Sequence, residues 1–270
     1  MEKRISVLMG IYNCAGTLPA AIDCILAQTV TDWQLILCED GSADDTYGVA
    51  KKYAEKYPDQ IVLLKNEKNM GLNYTLNRCL SVAEGKFVAR MDGDDLCSPD
   101  RFEKELAALE ANPKMVVVST AMEFFDETGI WGRDHPKQFP ENGDFLYGTT
   151  FCHAPCMARR AALEAVGGYT DDEKFLRVED FDLWVKLYAA GYRGMNLDEP
   201  LYQMRDDRNA FSRRKFRYRI NEARVICKAV RLLKLPKSGY IRALRPIIVG
   251  LMPMWLYKRL HKKRLGGQAG

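Results

Sequence analysis

The stretch "FVARMDGDDLCSPDRF", Phe87 to Phe102, decides the reading of the fold. An apolar run stops at Met91, and three carboxylates, Asp92, Asp94 and Asp95, follow within four positions. Like charges this close repel unless a cation shares the site. "KFVARM" reads as a buried strand. Ser98-Pro99 reads as the start of a helix, a capping hydroxyl followed by proline in the first turn. Phe102, Leu106 and Leu109 form its apolar stripe.

Outward from this stretch the pattern repeats. "ISVLMGIY", "WQLILCED" and "IVLLK" are short, almost wholly apolar strands. Between them Thr17 to Gln28, a segment from Asp44 as cap to Tyr57, and Gly71 to Ala83 read as helices. Apolar strands alternating with helices predict an α/β fold, Rossmann-like, its mostly parallel sheet covered by helices on both faces. "MVVVSTAMEFF" and "YRGMNL" add later strands, and Asp180 to Ala190 a short helix. Arg160 to Val166 reads as a helix ended by Gly167-Gly168. Asp126 to Thr150 is predicted to be an irregular loop over a site, with Trp131 as a candidate for stacking on a ligand.

The chain has 270 residues, 47% of them hydrophobic and 28% charged, an ordinary globular composition. Its first residues imitate a signal peptide, but the apolar run ends at Tyr12-Asn13 and reads better as a strand. Eight cysteines without a disulfide rhythm are expected to be reduced thiols in a cytosolic protein. "CHAPC", Cys152 to Cys156, lacks a second ligand pair at zinc spacing. The net charge of +4 is uneven: residues 205–270 hold 19 Lys and Arg against 3 Asp and Glu. This divides the chain into a main domain over 1–205 and a basic, amphipathic helical region over 206–270.

In a parallel α/β sheet, ligands sit beyond the carboxyl ends of the strands, where strand order reverses. Glu39-Asp40 and the Asp92–Asp95 cluster stand at two such ends. A P-loop and a G-x-G-x-x-G turn are both missing, so a phosphate ligand here lacks a glycine cradle. Mg²⁺ or Mn²⁺, held by one or two carboxylates and completed by diphosphate oxygens, would replace it.

"SVLMGIYN", "DWQLILCEDGSADDT", "NMGLNYTLN", "RMDGDD" and "GGYTDDEKFLRVEDFDLWVKL" follow in this order. The series resembles family 2 glycosyltransferases of the GT-A fold, closest to bacterial enzymes that build capsule, exopolysaccharide or lipopolysaccharide. The likeness spans about residues 3–205. It implies that Tyr12 and Asp40 contact the nucleotide base, Asp40 by accepting from a uracil imide. Asp92 would lie near the ribose, Asp94 would ligate the metal bridging the donor diphosphate, and Asp180 would be the general base. Glu39 stands where an aspartate is often found. Many members carry a histidine after the "LY.YR" segment, whereas this chain has "LYQMRDDRNAFS", with Asp207 near that position.

The resemblance implies an inverting, metal-dependent transfer of sugar from a nucleotide-sugar donor to a glycan or lipid-linked acceptor. Two other readings stand beside it: a nucleotidyltransferase, whose glycine-rich first loop "GIYNCAGTLPAA" lacks, and a binding scaffold or degenerate transferase without turnover. Asp180 can equally complement a helix dipole, and His135 and His153 can touch acceptor or be structural. Trp184 reads as core. In the basic region, apolar residues interleave with the charges. That favours an anionic membrane surface over nucleic acid, through an interfacial helix with Trp255 and Tyr257 near the headgroups. The protein is then expected on the cytoplasmic face of the plasma membrane. The same region can instead pack on the catalytic domain or make an oligomer.

Overall fold

The computed structural model describes residues 3–206 and 215–252. Asp207, Trp255 and Tyr257 lie outside the described residues. The first half alternates as the apolar runs predict: β1 Ile5–Ile11, α1 Leu18–Leu26, β2 Trp33–Glu39, α2 Thr46–Lys56, β3 Ile61–Lys65, α3 Leu72–Ser81 and β4 Phe87–Arg90. There follow β5 Leu96–Cys97, α4 Arg101–Ala111, β6 Met115–Asp126, β7 Gly129–Arg133, β8 Met157–Arg159, α5 Arg160–Ala165, α6 Glu179–Ala189 and β9 Arg193–Arg205. The C-terminal region contributes α7 Phe216–Leu232, α8 Gly239–Arg242 and α9 Leu244–Leu251.

The strands form one sheet in the order β3-β2-β1-β4-β8-β6-β9-β5, with β7 paired to β6. β1 to β4 run parallel, β6 and β9 pair parallel, and β8 lies antiparallel between β4 and β6. The pleat sends alternate residues to opposite faces. Val7, Met9, Leu35, Leu37, Phe87 and Ala89 face the core under α1, α2 and α4. Leu8, Ile36, Cys38 and Val88 face the core under α3, α5, α6 and α7. This accounts for strands that are apolar on both sides.

Four expectations change. The helix expected at Ser98-Pro99 begins at Arg101, because Leu96–Cys97 first pairs as β5 with β9 and Ser98 accepts from Arg101 N–H through its carbonyl. The helix expected to be capped by Asp44 has Asp45 at its cap position; Asp44 still receives the Thr46 N–H and also bridges to Ala15. The expected loop Asp126–Thr150 holds β7 and a 3-10 turn over Asn142–Leu146. Trp131 stacks on Phe124 at 5.4 Å within the β6–β7 hairpin. "YRGMNL" continues through Pro200 to Arg205, with the pairing to β6 shifting register around Ala121. A proline and paired acids hid that continuation, and the bulge accommodates them.

The basic region is partly core. Val225, Ile226 and Ala229 of α7 are buried in the same cluster as Phe181, Leu183 and Val185 of α6.

Candidate functional site

β2 and β4 flank β1, so the strand order reverses there and the carboxyl ends of all three open on one crevice. The loops there are tied to one another. Asn13, in the left-handed region at φ 50°, donates its N–H to Ser42 and accepts from Ala43 N–H at 2.8 Å. Cys14 N–H donates to Thr46 Oγ1 at 2.8 Å, and Thr17 donates to the Gly93 carbonyl at 3.0 Å. Gly93 packs closely here, since a Cβ would lie 2.9 Å from Cys14 Sγ and would require that side chain to shift.

Tyr12 is exposed at the rim of this crevice, whereas Asp40 is buried beneath it. Asp40 accepts from Asn66 Nδ2 at 2.7 Å, Met70 N–H at 2.8 Å and Gly71 N–H at 3.0 Å. It thereby anchors the turn that opens α3. Gly41, at φ 73°, lets this backbone approach; a Cβ would meet Asn69 N at 2.5 Å. Glu39 is buried and accepts the Ser42 N–H, holding the same turn from below.

Asp92, Asp94 and Asp95 each offer an oxygen within 4.8 Å of the others. The three have different surroundings. Asp92 forms a two-pronged ion pair with buried Arg90. Asp95 is buried and accepts from Tyr202 Oη and Arg205 N–H, both at 2.8 Å, so it clamps β9 to the loop. Burial first, then the charges of Asp92 and Asp94, push its carboxyl up to about 8. Asp94 is exposed to the crevice and keeps its carboxylate outside these clamps. The surrounding protein and Asp92 raise its carboxyl above the usual range. The set suits a hard dication: all oxygen, clustered, with the outermost member facing solvent.

Asp180 stands in the first turn of α6, within the influence of the Arg90 charge. It accepts from Thr149 Oγ1 at 3.2 Å, and burial raises its carboxyl above the ordinary range, with Thr149 and Arg90 pulling the other way. Glu179 beside it is pushed up to about 7 by burial and by Asp180. His153 is half-buried: its Nε2 lies 2.8 Å from Tyr169 Oη, and burial with the Arg90 charge lowers its pKa well below the usual value. His135 is exposed, 3.6 Å from Asp198. Cys152 faces Asp134 at 3.4 Å. A cleft of about 410 Å³ is lined by Asp134, Lys137, Tyr147, Thr149 and Cys152 among others, and Thr149 links its wall to Asp180. A larger hollow of about 540 Å³, lined by Lys3, Arg4 and Asp32, sits at the amino ends of the strands, away from this chemistry.

Sequence reasoning missed Arg90, Tyr202 and Thr149. Arg90 carried one signal, a cation inside an apolar strand two residues before an acid.

The model of the family "Glycosyl transferase family 2" matches residues 6–167. This chain belongs to glycosyl transferase family 2. A protein named glycosyltransferase EpsE, from Bacillus subtilis strain 168, is 45% identical over 265 residues, covering 98% of this chain and 95% of its own length. The amylovoran biosynthesis glycosyltransferase AmsE of Erwinia amylovora is 28% identical, covering 96% and 98%. Among solved structures, S. aureus TarS 1-349 in complex with UDP superposes with TM-score 0.67 at 17% identity, covering 95% of this chain and 78% of that one. The mannosyltransferase PcManGT of Pyrobaculum calidifontis, in complex with GDP-Man and Mn²⁺, gives 0.65 at 19% identity, covering 98% and 80%. The family 2 chain therefore has the GT-A fold, with a helical C-terminal extension.

Proposed function

We propose that this chain is an inverting glycosyltransferase of cell-surface polysaccharide biosynthesis. It moves a sugar from a nucleotide-diphosphate donor, of the UDP class, to a hydroxyl of a glycan or lipid-linked acceptor. The observation that carries this reading is the clustering of Asp92, Asp94 and Asp95 at the carboxyl end of β4, with Arg90 paired to Asp92 and its charge also felt by Asp180. TarS in complex with UDP, PcManGT in complex with GDP-Man and Mn²⁺, and the amylovoran relative support it.

In this reading Tyr12 and Asp40 border the base, Asp92 the ribose, and Asp94 is the metal ligand. Mn²⁺ or Mg²⁺, when bound, neutralises charge on the departing diphosphate. Asp180 takes the proton of the acceptor hydroxyl as the new bond forms on the face opposite the leaving group. A carboxyl raised by burial is a stronger base once ionised, and Thr149 orients it by donating to one oxygen. Arg90 holds Asp92 in place and tempers the repulsion among the acids. The reading also gives the basic region an anionic membrane as partner, on the cytoplasmic face.

Incubation of the full chain with UDP- and GDP-sugars tests it, with nucleotide release read with Mn²⁺ and with chelator. Metal-dependent release from one donor class supports the proposal. Tight nucleotide binding without release in the presence of acceptor extracts favours a scaffold without turnover.

A further inference from the structure

Ile241, Leu244, Ile248 and Leu251 are 69%, 52%, 59% and 70% exposed. Their spacings of three, four and three residues put them on one stripe along α8 and α9. Ala243 joins the two helices with right-handed angles, φ −64° and ψ −18°, so the stripe is continuous. The opposite side is already satisfied: Ala243 and Pro246 are buried, and Ile247 packs on the core. A helix on a soluble surface ordinarily turns its polar side outward. Here the outward side is aliphatic and flanked by exposed Arg242 and Arg245.

The charge pattern selects the occupant. From Ala223 to Gly270 the sequence holds twelve Lys and Arg and no Asp or Glu. A second copy meeting this face about a two-fold axis would bring cations against cations. A bilayer carrying anionic headgroups accepts the aliphatic side chains and pairs the cations at once.

The same helices are fastened to the rim of the cleft that Thr149 lines. The Arg242 guanidinium lies 5.1 Å from the centre of the Tyr147 ring, and Arg245 Nη1 donates to the Tyr147 carbonyl at 3.1 Å. A Cβ on Gly239 would lie 2.9 Å from Leu146, so α8 rests directly on the 3-10 turn. Two residues past Tyr147, Thr149 lines the cleft and donates to Asp180.

We infer that the Ile241–Leu251 stripe docks on an anionic lipid surface and sets the mouth of the Asp134–Cys152 cleft against it. An acceptor carried by a lipid would then present its sugar end to Asp180 without leaving the bilayer. The acceptor half of this inference rests on the transferase reading; the docking half does not.

The test uses the full chain and a variant carrying Ile241→Ser, Leu244→Ser and Ile248→Ser, positions whose exposure leaves the core untouched. Wild type is expected to float with mixed phosphatidylcholine–phosphatidylglycerol vesicles and to stay down with phosphatidylcholine alone. The variant is expected to lose at least about tenfold in partitioning, as removing three aliphatic insertions implies, with an unchanged melting temperature. Wild type remaining at the bottom, or the variant floating equally well, overturns the docking. A sedimentation dimer that the variant dissolves also overturns it, giving the face to a second copy. Hydrogen exchange of residues 145–150 should slow on vesicle binding in wild type; unchanged exchange overturns the link to the cleft. Calorimetry with UDP and Mn²⁺ separates the two readings. Equal binding by both proteins supports the acceptor half, and absence of binding in wild type removes that half while the flotation result stands.

Discussion

Lys228 of α7 and Asp182 of α6 form an ion pair at 2.5 Å, with the Asp182 side chain wholly buried. Thr170 Oγ1 donates to the other carboxylate oxygen at 2.6 Å. Asp182 stands two residues after Asp180, so the first helix of the basic region secures the helix that carries the proposed base. Removing the chain after residue 205 would strip this pair and the buried faces of Val225 and Ile226 with it.

Lys228→Ala leaves Asp182 with one side-chain hydrogen-bond donor, Thr170, and the more distant Lys186 charge, in a buried setting. Breaking one side of such a pair costs roughly 3 kcal/mol, the low end of the usual range because Lys228 keeps some solvent contact. Urea unfolding of the variant should show that loss with an unchanged slope; a difference below about 1 kcal/mol would make the pair energetically idle.

Asp94→Ala removes the carboxylate that faces the crevice and breaks none of the clamps made by Asp92 and Asp95. The variant is expected to fold normally and to lose the gain in UDP affinity that Mn²⁺ brings to wild type. Titration calorimetry with and without the metal reads this directly, and a preserved gain would move the ligand role elsewhere.

Asp180→Asn keeps the size of the side chain and an oxygen able to accept from Thr149. Turnover should fall by about 10²–10⁴-fold, the range for a lost general base, with donor affinity unchanged. Near-normal transfer would leave Asp180 with only a structural role at the start of α6.

The acidic cluster makes metal-free stability depend on pH. Asp95 titrates at about 8 in the folded protein, above the ordinary aspartate range of the unfolded chain. Between about pH 4 and pH 8 the folded state therefore holds the extra proton on Asp95, whose contribution to stability falls as pH rises through that window; His153, held neutral in the fold, acts with the opposite sign below the ordinary imidazole range, so the decline is read from about pH 7 to pH 8. Glu105 and Glu179, both at about 7, add the same sign. Thermal melts in chelator should show the decline, and Asp95→Asn should make it shallower; a rise in stability across the window would contradict the assignment.

Much of this architecture was written locally. The runs at Ile5–Ile11, Trp33–Glu39 and Phe87–Arg90 carry apolar residues on both faces because the sheet is covered on both sides, and that marks them as interior strands. Asp40, Asp92 and Asp94 were legible as a candidate site because acids directly after such strands must emerge at their carboxyl ends. Periodicity is a short-range property, and it says nothing about which distant residue a side chain will meet. Asp95 takes the Tyr202 hydroxyl from 107 positions away, Asp182 takes Lys228 from 46, and the Asp180 carboxylate takes Thr149 from 31. These partnerships depend on sheet order, on the register shift that carries β9 past Pro200, and on the docking of α7. Only the closed fold decided that one carboxylate of the cluster would face the crevice while its neighbours hold the frame.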